Sequence, residues 1–200
     1  MEKIKDTIKE LVKAFCVCFL IVGGFLLFFR PAVVDGMSMY PTLTNGDILI
    51  LNKNISKLKR GDIVAIKSDT LHLVLCKRVV GLEGDHLVIN QDGLSVNGEI
   101  INEDYIYEKE WVHDNFEINL TVPQGNVFVL GDNRNNSSDS RTLGCLETTQ
   151  ILGILTSDVT KILHINSSDY KIILYILWLV FLAYYIVTFI VSFIKKRRDS

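Results

Sequence analysis

The chain has 200 residues, of which 48% are hydrophobic and 22% charged, and its formal net charge at pH 7 is -2. This balance gives no reason to expect a nucleic acid as a partner. The length suits one domain with a real core, or a smaller domain combined with membrane segments.

The four cysteines contain neither a CxxC pair nor a Cys/His metal spacing, so we expect no metal and no cofactor. Cys16 and Cys18 lie inside an apolar run, whereas Cys76 and Cys145 stand alone in the middle of the chain. We interpret all four as small hydrophobic side chains. A disulfide between Cys76 and Cys145 stays open as an alternative.

The N-terminal segment carries four lysines and then an apolar run from Leu11 to Phe29 that only Lys13 interrupts. As a helix this run is about 28 Å long at about 1.5 Å per residue, close to the bilayer hydrocarbon thickness of about 30 Å. A cleaved signal peptide is the alternative, but the run is long and no small-x-small site follows it. The sequence predicts a cytoplasmic N-terminus and transmembrane anchor over residues 1–30.

The C-terminus mirrors this pattern. Ile172 to Ile194 is free of charged residues, and Lys195, Lys196, Arg197 and Arg198 follow it. We therefore expect a second transmembrane helix over 171–194 and a basic cytoplasmic tail over 195–200. The chain is then predicted to cross the cell membrane twice, with both termini cytoplasmic and an extracytoplasmic domain over 31–170.

The predicted extracytoplasmic domain has the pattern of short strands that begin at turns. A Gly-Asp pair precedes an apolar segment three times, and two hairpin signals flank a further segment. Residues 71–80 and 127–130 read as buried strands, and residues 102–121 are left as an insertion or irregular strands. The pairs and hairpin signals are Gly46-Asp47, Gly61-Asp62, Gly84-Asp85, Asp92-Gly93 and Asn97-Gly98.

Ser38 stands on a stiff segment, between Gly36 and Pro41, that follows the first apolar run. A serine hydroxyl becomes a nucleophile only when a base removes its proton, and none of the four histidines lies in a suggestive motif. Lys77 is set in an apolar strand, where desolvation lowers the pKa of an ammonium group. Taken alone, Ser38 would be interpreted as a polar residue at a loop-to-strand junction. Without Ser38, Lys77 would be interpreted as a solvated strand lysine.

Three stretches in this order resemble type I signal peptidase, a membrane-bound serine protease family that uses a Ser/Lys dyad. They are Ser38-Met39-Tyr40-Pro41-Thr42-Leu43, Lys77-Arg78-Val79-Val80-Gly81 with Gly84-Asp85, and the polar block from Gly131 to Gly144. The resemblance covers most of residues 31–153. It is to the bacterial branch, because the position that is histidine in the endoplasmic-reticulum branch is Lys77 here.

The resemblance implies a mainly β fold, a signal-peptidase-like antiparallel β-sheet catalytic domain flanked by the N- and C-terminal transmembrane helices. It also implies that Ser38 is the nucleophile and Lys77 the general base, and that Ser137 bonds the lysine amine and orients it. Asp139 and Arg141 would form an ion pair that holds the polar block under the dyad, with Arg78 nearby.

The resemblance further implies that the oxyanion is bound by the backbone N–H of Ser38. Some family members supply a second donor from a serine two residues before the nucleophile, but this chain has Gly36 there. Gly36 can contribute only through its backbone, by its conformation or by close approach of substrate. This pattern resembles the Gram-positive branch and leaves the second donor open.

The implied substrates are secreted preproteins with small residues at the first and third positions before the cleavage site. Their last residues would bind in extended form beside strands near the dyad, in shallow pockets lined by Val34, Met39, Leu43 and Cys76. The lipid bilayer is the implied surface beneath the domain. The C-terminal helix is either a second anchor or a contact for the translocation machinery.

Two other functions stay open from the residues. Ser/Lys dyads also serve in self-cleaving regulators of a related fold, although the ends of this chain resemble membrane spans and not effector segments. A membrane-tethered β domain without activity, serving as a scaffold, is the non-enzyme alternative.

Overall fold

A computed structural model of the protein describes residues 2–90, 93–108 and 117–158. Of these, the residues from Phe28 onward belong to one compact unit, and the helix residues up to Leu27 belong to another. The predicted helix over 171–194 and the tail over 195–200 lie outside the described residues.

The N-terminal segment is a single helix, α1, from Glu2 to Phe28. No helix among the described residues meets the length and hydropathy required of a membrane span. The helix ends earlier than the predicted boundary at residue 30, because Phe29–Val33 pairs with Ile48–Asn52 as an edge strand. Pro31 lacks a backbone N–H to donate, and an edge strand tolerates that loss.

The predicted β-rich antiparallel fold is confirmed by two antiparallel sheets. The larger has seven strands in the order β1-β2-β11-β3-β4-β9-β10, and the smaller has four in the order β7-β6-β5-β8. The first strands are β1 (Phe29–Val33), β2 (Ile48–Asn52), β3 (Ile63–Ser68), β4 (Leu73–Leu82), β5 (His86–Asn90) and β6 (Gly93–Val96). The others are β7 (Glu99–Ile100), β8 (Ile118–Thr121), β9 (Asn126–Leu130), β10 (Leu146–Glu147) and β11 (Ile151–Asp158), and a short helix α2 spans Ser140–Leu143.

The turns predicted at the Gly-Asp pairs are each followed by a strand, as predicted. Strands β2, β3 and β5 each begin at the residue directly after a Gly-Asp pair, and Gly61 and Gly84 have φ of +91° and +82°. Only glycine adopts such angles without steric cost, so these pairs end one segment and aim the next strand. Asn97 and Gly98 likewise turn β6 into β7 with positive φ at both residues.

The core has three apolar clusters. The first joins β4 and β9 of the large sheet to β5 and β6 of the small sheet, around Phe128 and Leu87. The other two contain alternate residues of β3, with Ile63 and Ala65 in one cluster and Val64 and Ile66 in the other. Successive side chains of a strand point to opposite faces, so β3 is buried on both faces and forms a rigid base beside β4.

Two parts of the fold were not predicted. Strand β11 pairs with both β2 and β3 in the middle of the large sheet, although no turn signal marks its start. Among the described residues of the region 102–121, which are 102–108 and 117–121, strand β8 alone is regular, and it pairs with β5.

Candidate active site

The serine turn, residues 36–47, is anchored by its own apolar side chains, which are buried in the core. Met39 and Leu43 are each 1% exposed, and the Leu43 N–H donates to the Met39 carbonyl at 2.8 Å. At the start of the turn, Gly36 has φ of +103° and its N–H donates to Asn45 Oδ1 at 2.9 Å. These contacts fix the backbone on both sides of Ser38, which is itself half-buried.

Lys77 lies in β4, directly opposite Val64 of β3, and its side chain is almost fully buried. Its Nζ hydrogen-bonds Ser38 Oγ at 2.6 Å, across 39 positions of sequence. Burial lowers the pKa of the Lys77 ammonium group, and the nearby Asp139 carboxylate opposes this effect only in part. A lysine in this environment can lose its proton more readily than a lysine in water.

The polar block that follows β9, residues 131–144, is bound to both the serine turn and β4. The buried Asp132 carboxylate accepts two hydrogen bonds from Arg78, at 2.8 and 2.6 Å, and one from Thr42 Oγ1 at 2.5 Å. Burial disfavours the charged guanidinium of Arg78, but the Asp132 carboxylate outweighs it and raises the pKa of Arg78. One carboxylate therefore connects the three stretches singled out in the sequence.

Asn133 makes a second connection between the polar block and the serine turn. Its backbone N–H donates to the Ser38 carbonyl at 3.0 Å, and its side-chain amide donates to the Met37 carbonyl at 3.2 Å. No role was predicted for Thr42, Asp132 or Asn133. All three lie inside the stretches that carry the resemblance, but residue type alone does not reveal which groups they contact.

Asp139 and Arg141 form the ion pair that the sequence predicted. Arg141 Nε lies 2.8 Å from Asp139 Oδ1, and both side chains are buried. Asp139 also accepts from the backbone N–H groups of Gly131 and Arg141, the second of which caps α2. This carboxylate thus fixes the loop at both ends. Arg78 pairs with Asp132 and not with this ion pair.

Comparison with known proteins agrees with this arrangement. The family model described as signal peptidase, peptidase S26, matches residues 5–159. The chain belongs to this family. It is 41% identical over 161 residues to signal peptidase I P of Bacillus subtilis subsp. natto, covering 74% of this chain and 85% of the relative.

A second relative from Bacillus and a solved structure are also similar to this chain. Signal peptidase I S of Bacillus subtilis strain 168 is 40% identical over 165 residues, covering 74% of this chain and 87% of the relative. A crystal structure of a signal peptidase I from Enterococcus faecalis V583 aligns with 52% of this chain and 100% of that chain, at 34% identity and a TM-score of 0.46. The resemblance to the Gram-positive signal peptidases is confirmed.

One expectation drawn from the signal peptidase resemblance needs correction. Ser137 does not bond Lys77 here, since its buried Oγ has no hydrogen-bond partner and lies against Gly131 instead. Gly36 contributes through its backbone conformation, because its positive φ begins the turn. Its N–H donates to Asn45 Oδ1.

The predicted substrate pocket of this signal peptidase is divided between a groove and the core. A groove of about 300 Å³ is lined by Val34 and Cys76, together with Ala32, Ala65 and Leu75 and other residues of β1 to β4. Met39 and Leu43 do not line it. The hydrogen-bonded turn folds both side chains inward, into the cluster that also contains Val34.

The cysteines of the described residues carry no disulfide. Cys76 and Cys145 are both free, so the open alternative of a bond between them is wrong. Burial raises the pKa of the Cys76 thiol to about 11. Cys76 is therefore neutral at ordinary pH and acts as an apolar wall of the groove. No cluster of metal-ligating side chains is present in the part of the chain that the structure describes.

Proposed function

We propose that this chain is a membrane-bound serine endopeptidase that removes N-terminal signal peptides from secreted preproteins. Ser38 is the nucleophile and Lys77 the general base. The observation that carries this proposal is the 2.6 Å contact between Lys77 Nζ and Ser38 Oγ, made by a buried lysine. A base must lie within about 2.6–3.2 Å of the atom that carries the proton it removes.

In the first step, the neutral amine of Lys77 takes the hydroxyl proton of Ser38 as Oγ attacks the carbonyl carbon of the scissile peptide. The C–O bond forms and the carbonyl oxygen becomes an oxyanion, to which the backbone N–H of Ser38 donates. When the C–N bond breaks, Lys77 returns its proton to the leaving amine. The signal peptide stays bound to Oγ as an ester, and the mature protein leaves.

In the second step, water hydrolyses the ester. Lys77 takes one proton from the water, the resulting hydroxide attacks the ester carbonyl, and Ser38 Oγ leaves and recovers the proton from Lys77. Asp139 and Arg141 keep the polar block in place through both steps. Arg78 and Asp132 hold that block against β4 and the serine turn.

The groove beside β1 to β4 supports a preference for small residues at the first and third positions before the cleavage site. Its walls include Val34, Cys76 and Ala65. Cys76 immediately precedes Lys77 in β4, so the groove reaches the strand that carries the base. An extended substrate chain would present alternate side chains to such walls.

The topology of the proposed enzyme follows the hydropathy pattern of the sequence. Residues 1–30 supply the cytoplasmic N-terminus and anchor, 31–170 the extracytoplasmic catalytic domain, 171–194 a second transmembrane helix and 195–200 the cytoplasmic tail. Four lysines near the first apolar run and the four basic residues after the second support this orientation in the cell membrane. The bilayer and the translocation machinery are the proposed neighbours.

The proposal is tested with the full chain purified in detergent and a peptide that carries an Ala-x-Ala site. Ser38→Ala and Lys77→Ala should each lower kcat by at least about 10³-fold, since either change removes a member of the dyad. The rising limb of kcat/KM with pH should lie below the ordinary pKa of lysine, because burial lowers the pKa of Lys77. Near-wild-type turnover by either variant would refute the mechanism, and a stoichiometric internal cut without peptide turnover would favour a self-cleaving regulator.

A further inference from the structure

Residues 101–108, which we call the strap, run from the small sheet across the candidate active site. The strap follows β7, and the Ile101 N–H donates to the Leu94 carbonyl in β6 at 2.9 Å. It contains no helix or strand. Yet its side chains contact all three stretches that make up the site, and none of these contacts belongs to the catalytic mechanism described above.

The first contact of the strap is with the polar block. Glu103 makes a bidentate ion pair with Arg134, at 2.9 and 2.5 Å, and both side chains are buried. Arg134 also donates to the Gly131 carbonyl, and its own carbonyl accepts from Arg141. The ion pair therefore connects the strap to the segment that holds Asp139.

The second contact is with β4. The guanidinium carbon of Arg78 lies 4.0 Å from the centre of the Tyr105 ring, a cation–π arrangement. The Tyr105 hydroxyl donates to Glu103 Oε1 at 2.8 Å, which fixes the ring over Arg78. Arg78 directly follows Lys77 in β4, so this contact connects the strap to the strand that carries the base.

The third contact is with the serine turn. The rings of Tyr107 and Tyr40 meet edge to face, with centroids 4.7 Å apart and an interplanar angle of 77°. The Tyr107 N–H also donates to the Asp132 carbonyl at 3.1 Å. Tyr40 is two residues from Ser38, so the strap reaches the nucleophile side of the dyad as well as the base side.

We propose that the strap is a positioning element that sets the separation of Ser38 and Lys77, with Glu103, Tyr105 and Tyr107 as positioning residues. This inference rests on the proposed function, because it assigns a role within that reaction. Ser38 lies on a turn and Lys77 in a sheet, so their separation depends on contacts between the two. The strap braces the serine turn, the Lys77 strand and the polar block from one side.

A substitution of Tyr107 can distinguish a role in positioning the dyad from a role in folding. Its side chain is 51% exposed, so its truncation removes little buried apolar area. Its ring nevertheless touches Tyr40 beside the nucleophile. Loss of this ring should therefore change the rate of the chemical step far more than it changes stability. Glu103 is a poorer choice, because its removal leaves the buried charge of Arg134 unpaired.

The test uses the full chain in detergent with the Ala-x-Ala peptide, and compares Tyr107→Leu, Tyr107→Phe and the control Ile100→Ala. Ile100 is 75% exposed at the end of β7 and precedes the strap. Tyr107→Leu should lower kcat about 10- to 100-fold, since small misplacements of reacting groups have effects of this size. Its KM should change less than about 2-fold, and its melting temperature should match that of Ile100→Ala.

Rescue and coupling complete the test. Tyr107→Phe keeps the ring, so it should restore kcat to within about 2-fold of the wild type. In a Tyr40→Leu background the effect of Tyr107→Leu on kcat should disappear, because the ring contact is already lost. The rate at which a small acylating probe labels Ser38 should fall in parallel with kcat.

Three outcomes would overturn the strap proposal: wild-type kcat in Tyr107→Leu, a change confined to KM, or a fall in kcat matched by a lower melting temperature. Each is judged while Ser38→Ala remains inactive, which shows that the proposed function itself holds. If Ser38→Ala keeps its turnover instead, the proposed function has failed, and the positioning role fails with it.

Discussion

Lys77 is where the chemistry of this site and the stability of the fold oppose each other. A buried ammonium group loses its hydration, so the folded state favours the neutral amine and the pKa of Lys77 is lowered. The unfolded chain keeps the ordinary lysine pKa and binds the proton more readily. Below the folded pKa, the burial of Lys77 therefore costs about 1.4 kcal/mol for each unit by which its pKa is lowered.

The first prediction follows from this linkage. Lys77→Met should abolish peptide cleavage and yet raise the free energy of unfolding at neutral pH, because methionine fills a similar volume without a charge. The gain should shrink as the pH rises from the folded pKa of Lys77 to its unfolded pKa, since the wild-type lysine is then neutral in both states. Thermal or denaturant unfolding of both proteins at several pH values measures the difference.

The matched control is Lys67→Met, in the neighbouring strand β3. The Lys67 side chain is 59% exposed and pairs with Asp69 at 3.0 Å on the surface. Exposed pairs contribute little to stability, so this variant should be close to the wild type at every pH. A Lys77→Met variant less stable than the wild type at neutral pH would contradict the argument.

At the scale of the strands and loops, the sequence predicted best where a single residue type imposes a backbone angle. The Gly-Asp pairs and the Asn97-Gly98 pair fixed the starts of strands β2, β3, β5 and β7 because positive φ is costly for other residues. The candidate site could be predicted for a different reason: Ser38 and Lys77 lie in short stretches whose residue types and order resemble one family.

The sequence failed where long-range packing decides the structure. Strand β11 is stabilised by its two neighbours, whose paired residues lie 85 to 90 positions away in β3 and 102 to 109 positions away in β2. The strap has no periodic pattern, because its residues are held by an ion pair and by two aromatic contacts with distant segments. The inward orientation of Met39 and Leu43 in the serine turn could not be predicted from the sequence either, because it depends on the cluster into which they pack.

The polar block can pack against the serine turn only because residue 131 is glycine. A Cβ at Gly131 would lie 2.3 Å from Ser137 Oγ and 2.5 Å from the Ser38 carbonyl oxygen, and the second atom belongs to the backbone. A side chain cannot be added here unless the block or the turn moves. The contact between Asn133 and the Ser38 carbonyl depends on the same close approach.

The second prediction concerns this approach. Gly131→Ala should lower kcat by about 10²-fold, because a shift of the serine turn misplaces Ser38 relative to Lys77. It should also destabilise the protein by about 1–3 kcal/mol through overpacking. Peptide cleavage and denaturant unfolding measure the two effects on the same preparation.

Gly24→Ala is the control for this substitution, since a Cβ at Gly24 in α1 meets nothing within 4 Å. It should leave kcat unchanged. Wild-type kcat in Gly131→Ala would mean that the polar block can move without disturbing Ser38, and the packing argument would then be wrong.

For the whole molecule, the clusters of the core explain why the site is rigid. Strands β3 and β9, which are buried at most of their residues, flank β4 in the large sheet. The small sheet covers β4 and β9 through the cluster around Phe128. Lys77 is thus carried by a strand that cannot shift without disrupting the core. The serine turn, by contrast, is a loop that depends on the polar block and the strap.

The third prediction concerns the proposed topology, in which the basic residues at both ends place both termini in the cytoplasm. In a variant with all four cysteines replaced by alanine, a new cysteine at Ser200 should react with a membrane-impermeant maleimide only after the cells are permeabilised. A cysteine at the exposed Lys67, in the proposed extracytoplasmic domain, should react in intact cells as well. Labelling of the Ser200→Cys variant in intact cells would place the C-terminus outside, and a chain that crosses the membrane twice with a cytoplasmic N-terminus does not allow that result.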